Sequence, residues 1–219
     1  MLREHIANIP NGVKDRCYGV EIEVEGDGLP DYGIQGWKVT YDGSLVGNPQ
    51  CLEYVLNKPN NIKGVEVALK RLSYETKNST VTPSVRTGVH IHMNAQHFSV
   101  EGLVKFLVCY YIVEELLINW CGNDRQGNLF CLRSKDCPHI LESVVEWINS
   151  AGNVDDITTE DYRYSALNFN PIYKYGTLEF RAMTTPENFN DVLPVVKVLE
   201  RIRDASEHWD DVTSIVENL

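Results

Sequence analysis

The sequence predicts an α+β fold in which helices cover one face of a mostly antiparallel sheet. Three strand patterns come first, a single strand pattern lies between two helix patterns, and two strand patterns follow late in the chain. This order lacks the strict strand–helix alternation of a parallel α/β sheet. The 219 residues contain no repeat, low-complexity tract or linker-like segment. We therefore expect a single domain over residues 1–219, with a sizeable core.

Six segments have the pattern of strands. In the first, CYGVEIEVEG at residues 17–26, apolar residues at positions 20, 22 and 24 alternate with glutamates at 21, 23 and 25. A period of two is that of a strand with one apolar and one polar face. Glu25 adjoins the EGDG turn, and we expect its side chain to face solvent. The remaining strands are predicted at 37–41, 51–56, 88–94, 165–170 and 176–182, with turn residues such as YDGS and GNPQ between them.

The predicted helices carry enough apolar residues to cover one face of this sheet. Ser99 is a suitable N-cap for the second helix, and Pro186 with Asn188 marks the start of the fourth. If these helices pack on the same face, the opposite face of the sheet is left for a ligand. The helices are predicted at 61–76, 99–120, 138–150 and 187–206, with a short one at 209–217.

Composition and charge exclude some classes of partner. The formal net charge of -11 disfavours binding to phosphodiester backbones and anionic membranes, so we expect neither nucleic acid nor membrane as a partner. The N-terminal MLREHIANIPNG has no apolar signal-peptide core, and no stretch approaches transmembrane length. The six cysteines form no CxxC pair. These features together predict a reduced, cytoplasmic protein.

The polar sides of four strands share an unusual set of residues. GVHIHMN at 88–94, GTLEFRAM at 176–183 and the strand around CLEYVL alternate in the same way as the first strand. A solvated face would more often mix lysine, threonine, serine and glutamine. If each apolar side faces the helices, the opposite face gathers Glu21, Glu23, Glu53, His90, His92, Glu179 and Arg181.

These residue types are typical of a metal–nucleotide site. Crowded carboxylates are tolerated when divalent cations lie between them, and oxygen-rich ligation suits Mg²⁺ or Mn²⁺. An arginine beside such a cluster is expected if an anion such as a phosphate arrives with the metal. The alternative, for any one of these strands, is a solvated outer face or a partly buried histidine.

In chain order, YGVEIEVEG, YDGSL, CLEYVLNKP, TGVHIHMN, RYSALNF and GTLEFRAM resemble the motifs of ATP-dependent carboxylate–amine ligases. More narrowly, they are similar to the amidoligase family, which is related to glutamine synthetase and glutamate–cysteine ligase. The resemblance runs from about residue 17 to residue 183. It implies a mostly antiparallel sheet curved into a half-barrel, with helices on the convex face and the active site on the concave face.

The resemblance also implies a metal site that holds two or three magnesium ions, with Mn²⁺ as a possible substitute. His90 is preferred over His92 as the imidazole ligand because it lies closer to the centre of its strand. The metal ligands that the resemblance implies are Glu21, Glu23, Glu53, His90 and Glu179.

Further roles follow from the same resemblance. Arg181 would neutralise the transferred phosphate and contact the cofactor ATP, together with Arg163, Asn168 and His92. Asp42 and Ser44 would lie near the carboxylate or amine substrate, with Asp42 as the base that deprotonates the amine. Structural alternatives stay open, because Asp42 with Gly43 is also an ordinary turn signature and Arg163 could form a local salt bridge.

The implied reaction has two steps. A substrate carboxylate attacks the γ-phosphate of ATP to give an acyl phosphate and ADP, and an amine then displaces phosphate to form an amide. The partners expected are ATP, a carboxylate and an amine, from amino acids, peptides or a protein.

Two other interpretations compete with the ligase. GVHIHMN is similar to the GxHxH motif of cupin metalloenzymes, which need a glutamate about four residues later and a further histidine, but position 96 is glutamine. A non-catalytic binding module on the same fold is the third possibility. The presence of both Glu179 and Arg181 argues against a decayed site.

Overall fold

The computed structural model describes residues 14–45, 49–149 and 163–217. Parts of the expected 1–219 domain therefore lie outside the described residues, and so does residue 150 of the third predicted helix. The strands are β1 (Tyr18–Asp27), β2 (Trp37–Tyr41), β3 (Gln50–Leu56), β4 (Thr80–Val81), β5 (Gly88–Asn94), β6 (Leu167–Asn168) and β7 (Thr177–Thr184). The helices are α1 (Ile62–Glu75), α2 (Val100–Cys121), α3 (Pro138–Asn149), α4 (Asn170–Tyr175), α5 (Val192–His208) and α6 (Val212–Glu217).

The seven strands form one open sheet in the order β2-β3-β1-β5-β7-β6, with β4 paired to the end of β1. All of these pairs are antiparallel. The predicted α+β class and antiparallel sheet are therefore confirmed. The strands that carry the polar residues, β3, β1, β5 and β7, are immediate neighbours in the sheet.

The apolar face of the sheet packs against α1, α2 and α5. Ile22 of β1 and Phe180 of β7 are buried in one hydrophobic core with Leu69, Phe106 and Leu199 of these helices. Burying an apolar side chain of this size contributes roughly 1.5–3 kcal/mol. This burial fixes which face of each strand is apolar, and the period of two then turns the alternate residues to the other face.

The starts of the long helices agree with the sequence signals. Ser99 Oγ accepts a hydrogen bond from the backbone N–H of Gly102, which confirms Ser99 as the N-cap of α2. Asn61 caps α1 in the same way, because its Oδ1 accepts from the N–H of Gly64. Each cap satisfies one of the backbone donors that a helix start leaves unpaired.

The predicted strand at 165–170 is wrong over most of its length. Only Leu167–Asn168 pairs as a strand, and Asn170–Tyr175 is helical. Pro171 fits the first helical turn, and Gly176 ends the helix with a φ of 69° that suits glycine. The fourth long helix also starts later than expected, because Asn188 caps a 3-10 turn and α5 begins only at Val192.

The prediction that the side chain of Glu25 faces solvent is wrong. Glu25 is buried, with 2% of its surface exposed. The segment that includes β4 pairs with this end of β1, and the backbone N–H of Thr82 donates to the carbonyl of Glu25. The two-residue strand β4 carries too little pattern for sequence analysis to find.

None of the helices in the described ranges combines the length and apolar character needed to span a bilayer.

Candidate functional site

The polar residues of the central strands meet because of the register of the sheet. Glu21 of β1 lies directly opposite His90 of β5, and Glu23 lies opposite Glu53 of β3. His92 lies opposite Glu179 of β7. Residues directly opposite each other in neighbouring strands have side chains on the same face, about 5 Å apart at Cβ. The structure thus brings together the carboxylates and imidazoles that the sequence analysis assigned to one face.

The imidazole of His90 is the centre of this cluster. Its Nδ1 lies 3.2 Å from Oε1 of Glu179 and 3.5 Å from Oε2 of Glu21. Its Nε2 lies 3.9 Å from Oε1 of Glu23. The side chain of His90 is 10% exposed. Three glutamates from two strands therefore converge on one nearly buried ring.

A register shift between β5 and β7 occurs at the position of His90. Val89 pairs with Met183 and Ile91 pairs with Phe180, so two residues of β7 face the single residue His90. A bulge of this kind bends the strand and redirects the side chains beside it. Arg181 is one of these two residues, and its side chain lies on the polar face beside Glu179.

His92 lies at the other end of the cluster. Its Nε2 is 3.6 Å from Oε1 of Glu21, and its Nδ1 is 3.0 Å from the hydroxyl of Thr177. Gly19 lies opposite His92, and a Cβ at position 19 would be 3.3 Å from the Cβ of His92. The glycine therefore leaves room for the imidazole to reach Glu21.

Burial and neighbouring charges shift the pKa values of the cluster. Burial alone would lower the pKa of His90, but its contact with Glu21 and the charges of Glu179 and Glu23 raise it above the usual value. Burial of Glu21 acts to raise its pKa, but the contacts with His90 and His92 lower it by more. The pKa of Glu21 is therefore below its usual value. Burial raises the pKa of Glu23, and it raises the pKa of Glu53 together with the charge of Glu21. The raised pKa values of Glu23 and Glu53 therefore reflect mainly the loss of water around their carboxylates, which a bound cation could offset.

Asp42 and Ser44 border the cluster from the loop after β2. The backbone N–H of Asp42 donates to the carbonyl oxygen of Cys51, two residues before Glu53, and the charge of Asp42 contributes to the raised pKa values of Glu23 and Glu53. Its Oδ1 accepts a hydrogen bond of 2.8 Å from the backbone N–H of Ser44. Asp42 therefore has the structural turn role as well as a place next to the site. On the same side, the hydroxyl of Thr40 donates to Oε2 of Glu53 over 3.0 Å.

Arg181 is held by the segment that carries Arg163. Its Nη1 donates to the carbonyl oxygen of Arg163 over 2.7 Å and lies 3.9 Å from Oε1 of Glu179. The guanidinium of Arg163 lies over the ring of Tyr164 and donates to its hydroxyl. Arg163 is exposed and orients Arg181 through its backbone.

Asn168 contacts Glu179 rather than open space. Its side-chain amide donates to Oε2 of Glu179 over 2.5 Å, and its Oδ1 accepts from the backbone N–H of Asn170. Asn168 is 4% exposed. Both the amide nitrogen and the amide oxygen of Asn168 therefore form hydrogen bonds. Asn168 orients the carboxylate of Glu179.

Two pockets open on opposite sides of the cluster. The first, which we name the arginine pocket, has a volume of about 160 Å³. The second, the apolar pocket, has a volume of about 360 Å³ and reaches Glu21 and His92. The arginine pocket is lined by Glu23, Ser44, Arg86, His90, Arg125, Phe130, Tyr164 and Arg181. The apolar pocket is lined by Cys17, Gly19, Val20, Glu21, Val55, Leu56, Pro59, His92, Asn94, Tyr175 and Thr177.

The sequence analysis missed Arg86 and Arg125. Both lie outside the alternating strands, Arg86 just before β5 and Arg125 at the end of the 3-10 turn Asn123–Arg125. The backbone N–H of Leu132 donates to the carbonyl of Tyr164, and its carbonyl accepts from the N–H of Ala166, both over 2.7 Å, which joins the segment after Phe130 to that of Tyr164. No local pattern links these segments, and only the tertiary fold brings them to the site.

The donor set fits a divalent cation, although no group of three or more His, Cys, Asp or Glu side chains within the described ranges is already arranged to hold one. The carboxylate oxygens are the ligands that suit Mg²⁺ or Mn²⁺, and an imidazole is an additional nitrogen donor. The buried Nε2 of His92 has no hydrogen-bond partner among the described residues. In the arrangement seen here, Glu21 and Glu179 contact His90, so cation binding requires that His90 be neutral and that the carboxylates turn toward the ion.

A scan against protein-family models finds no match to this chain. A search of curated proteins finds no match either.

Proposed function

We propose that this protein is an ATP- and Mg²⁺-dependent carboxylate–amine ligase that forms an amide bond through an acyl phosphate. The observation that carries the proposal is the convergence of Glu21, Glu23 and Glu179 on His90, within 3.9 Å, beside a pocket lined by three arginines. Acidic metal ligands next to guanidinium groups suit a reaction that moves a phosphoryl group between two oxygens.

We further propose that the sheet curves into a half-barrel of the glutamine synthetase type. Support comes from the separation of its faces. Helices α1, α2 and α5 pack on the apolar face, while side chains from adjacent strands approach each other on the polar face. A concave polar face is the arrangement that draws these side chains together.

In this proposal Glu21, Glu23, Glu53, His90 and Glu179 hold Mg²⁺. Magnesium, when bound, neutralises charge on the phosphate oxygens during transfer. The chain itself supplies orientation. Asn168 holds one carboxylate oxygen of Glu179, and Thr40 holds one of Glu53, which limits the orientations these ligands adopt when they turn toward the ion.

The cationic side of the proposal involves Arg181. Its contact with the carbonyl of Arg163 holds the guanidinium in place before substrate arrives, so its charge needs no rearrangement as the phosphoryl group moves. Asp42 is the proposed base for the amine, because its charge lies near Glu23 and its hydrogen bond with Ser44 fixes its orientation. The segment that carries Arg125 and Phe130 forms a wall that limits the access of water to the acyl phosphate.

The cupin interpretation has less support. A cupin has a metal-binding glutamate where this chain has Gln96. Gln96 is 2% exposed, and its side-chain amide donates to the carbonyl oxygen of Tyr175. It contributes no ligand to the cluster around His90.

The proposal is tested by ADP release from Mg²⁺–ATP with pooled N-acetylated amino acids as the acids and pooled polyamines as the amines, supplied separately and together. We expect release by the wild-type protein only when both an acid and an amine are supplied, and none by Glu23→Gln. The matched control is Glu66→Gln on α1, since Glu66 forms a surface pair with Lys70 on a helix that packs against the apolar face of the sheet. Release that needs no amine, or that survives in Glu23→Gln, would contradict the ligase assignment.

A further inference from the structure

Arg125 is a buried cation that forms no ion pair with any carboxylate of the described residues, although its charge acts on Glu23. It is 3% exposed. Its Nη2 donates to the backbone carbonyl oxygens of Thr87 and Met183, and its Nη1 lies 4.0 Å from the sulfur of Cys131. Its Nε has no hydrogen-bond partner among the described residues. Arg125 is thus oriented by neutral groups, and none of the carboxylates in residues 14–45, 49–149 and 163–217 is in direct contact with it.

Such an arrangement is unfavourable for the folded chain alone. A guanidinium stays protonated at any ordinary pH, and a buried charge is stable only when a counter-charge or several hydrogen bonds replace its water. The carbonyl oxygens of Thr87 and Met183 replace part of the water around Arg125, but they do not neutralise its positive charge. A counter-charge from outside the chain would complete it.

Arg181 resembles Arg125 in both its location and the burial of its Nε. It lines the arginine pocket with Arg125, and its Nε is likewise buried without a hydrogen-bond partner among the described residues. Arg86 is the third guanidinium; it is exposed at the rim, where its Nη1 donates to the carbonyl oxygen of Ser44 over 3.3 Å. Among the described residues that line the pocket, Glu23 is the single carboxylate. This described lining therefore includes three guanidinium groups, and the Nε of two of them is buried without a hydrogen-bond partner in the described part of the chain.

We propose that the arginine pocket is a binding site for a small oxyanion, with Arg125 as its fixed donor, Arg181 as the second donor and Arg86 at the entrance. Guanidinium forks match carboxylate and phosphoryl oxygens alike. The volume of about 160 Å³ admits a group of that size and excludes a nucleoside. The identity of the bound anion depends on the proposed function. In that reaction it is either the carboxylate of the acid substrate or the transferred phosphoryl group. Binding to the pocket itself requires neither nucleotide nor metal.

Gly88 offers a way to move Arg125 without removing its charge. A Cβ at position 88 would lie 2.5 Å from Nη2 of Arg125. The end of a long side chain can shift at little cost, so Gly88→Ala displaces the guanidinium from its two carbonyl partners and keeps the fold. Gly33→Ala is the matched control, because a Cβ at Gly33 would have no neighbour within 4 Å.

The test measures anion binding calorimetrically in EDTA, without nucleotide, at constant ionic strength in chloride. One arm titrates inorganic phosphate and the other acetate. We expect saturable binding of one equivalent by the wild-type protein and by Gly33→Ala, and binding at least tenfold weaker in Gly88→Ala and Arg125→Gln. The exposed Arg71, mutated to glutamine, controls for loss of an arginine elsewhere and should leave binding unchanged. Tighter binding of phosphate assigns the pocket to the phosphoryl group, and tighter binding of acetate assigns it to the acid substrate.

Absence of saturable binding of both anions, or equal binding by wild type and Gly88→Ala, would overturn the proposal. If Arg125→Gln fails to fold, Gly88→Ala decides the result alone. The ADP-release assay is run in parallel, so the two proposals fail separately. Anion binding without ADP release contradicts the ligase, and ADP release without anion binding contradicts the oxyanion site.

Discussion

Replacing Glu23 with glutamine should stabilise the metal-free protein. Glu23 lies opposite Glu53 in the sheet, and burial raises the pKa values of both carboxyls. Burial is the largest cause of the raised pKa of Glu23, and a tenfold change in proton affinity corresponds to about 1.4 kcal/mol. Attraction to His90, whose Nε2 is 3.9 Å from Oε1 of Glu23, and to Arg181 offsets part of the cost of burying the ionised carboxylate. The expected gain in the free energy of unfolding of Glu23→Gln is therefore on the order of 1 kcal/mol at neutral pH.

The sign of this effect depends on pH in a defined way. A carboxyl with a raised pKa destabilises the folded state once it is ionised, that is, above its usual pKa. The gain in Glu23→Gln should therefore be present at neutral pH and should disappear at acidic pH, where the wild-type carboxyl is protonated. Substitution at a site built for ligand binding commonly increases stability and removes function.

Urea denaturation in EDTA and in excess Mg²⁺ measures both consequences. Wild type should gain stability from Mg²⁺, and Glu23→Gln should be more stable than wild type in EDTA but gain less from the ion. Glu66→Gln, at a surface pair, should change stability by less than about 0.5 kcal/mol in either condition. A metal-free Glu23→Gln that is less stable than wild type, or an equal gain from Mg²⁺ in both, would refute the electrostatic argument.

Other predictions concern orientation, protonation and packing. Asn168→Ala should weaken Mn²⁺ binding by roughly 10- to 100-fold in a dialysis measurement while the circular dichroism stays unchanged, because Asn168 orients Glu179. Mn²⁺ affinity should rise with pH through and above 6.5, because the pKa of His90 is raised and a cation requires its neutral ring. In the same range the metal-free protein should lose the stability contributed by protonated His90, which is fully present below 6.5. Phe180→Ala should lower the free energy of unfolding by roughly 3–5 kcal/mol in urea denaturation, because the ring is 1% exposed in the core.

The polar face could be predicted from sequence because strand alternation is a local property. A period of two at Glu21 and Glu23, together with apolar neighbours, fixes the face of each side chain whatever its partner strand. The pairing of Glu21 with His90 could not be predicted in this way, since the register depends on contacts between distant segments. The helix at 170–175 had its signals in Pro171 and Gly176, and the adjoining strand pattern concealed them.

The arginine pocket shows where local patterns stop being informative. Arg86 and Arg125 lie in connecting segments without periodicity, and their meeting with Arg181 is a consequence of tertiary packing. A burial argument could find Arg125 only after the fold was known, because its lack of an ion pair with any carboxylate of the described residues is a property of its surroundings.

The central claim is that the face around His90 binds divalent cations together with ATP. Electron paramagnetic resonance of Mn²⁺ measures this directly, with and without ATP, in wild type and in the double variant Glu23→Gln, Glu179→Gln. The account predicts at least two bound Mn²⁺ per chain when ATP is present and loss of this binding in the folded double variant. Equal Mn²⁺ binding by both proteins, or binding by neither, would contradict it.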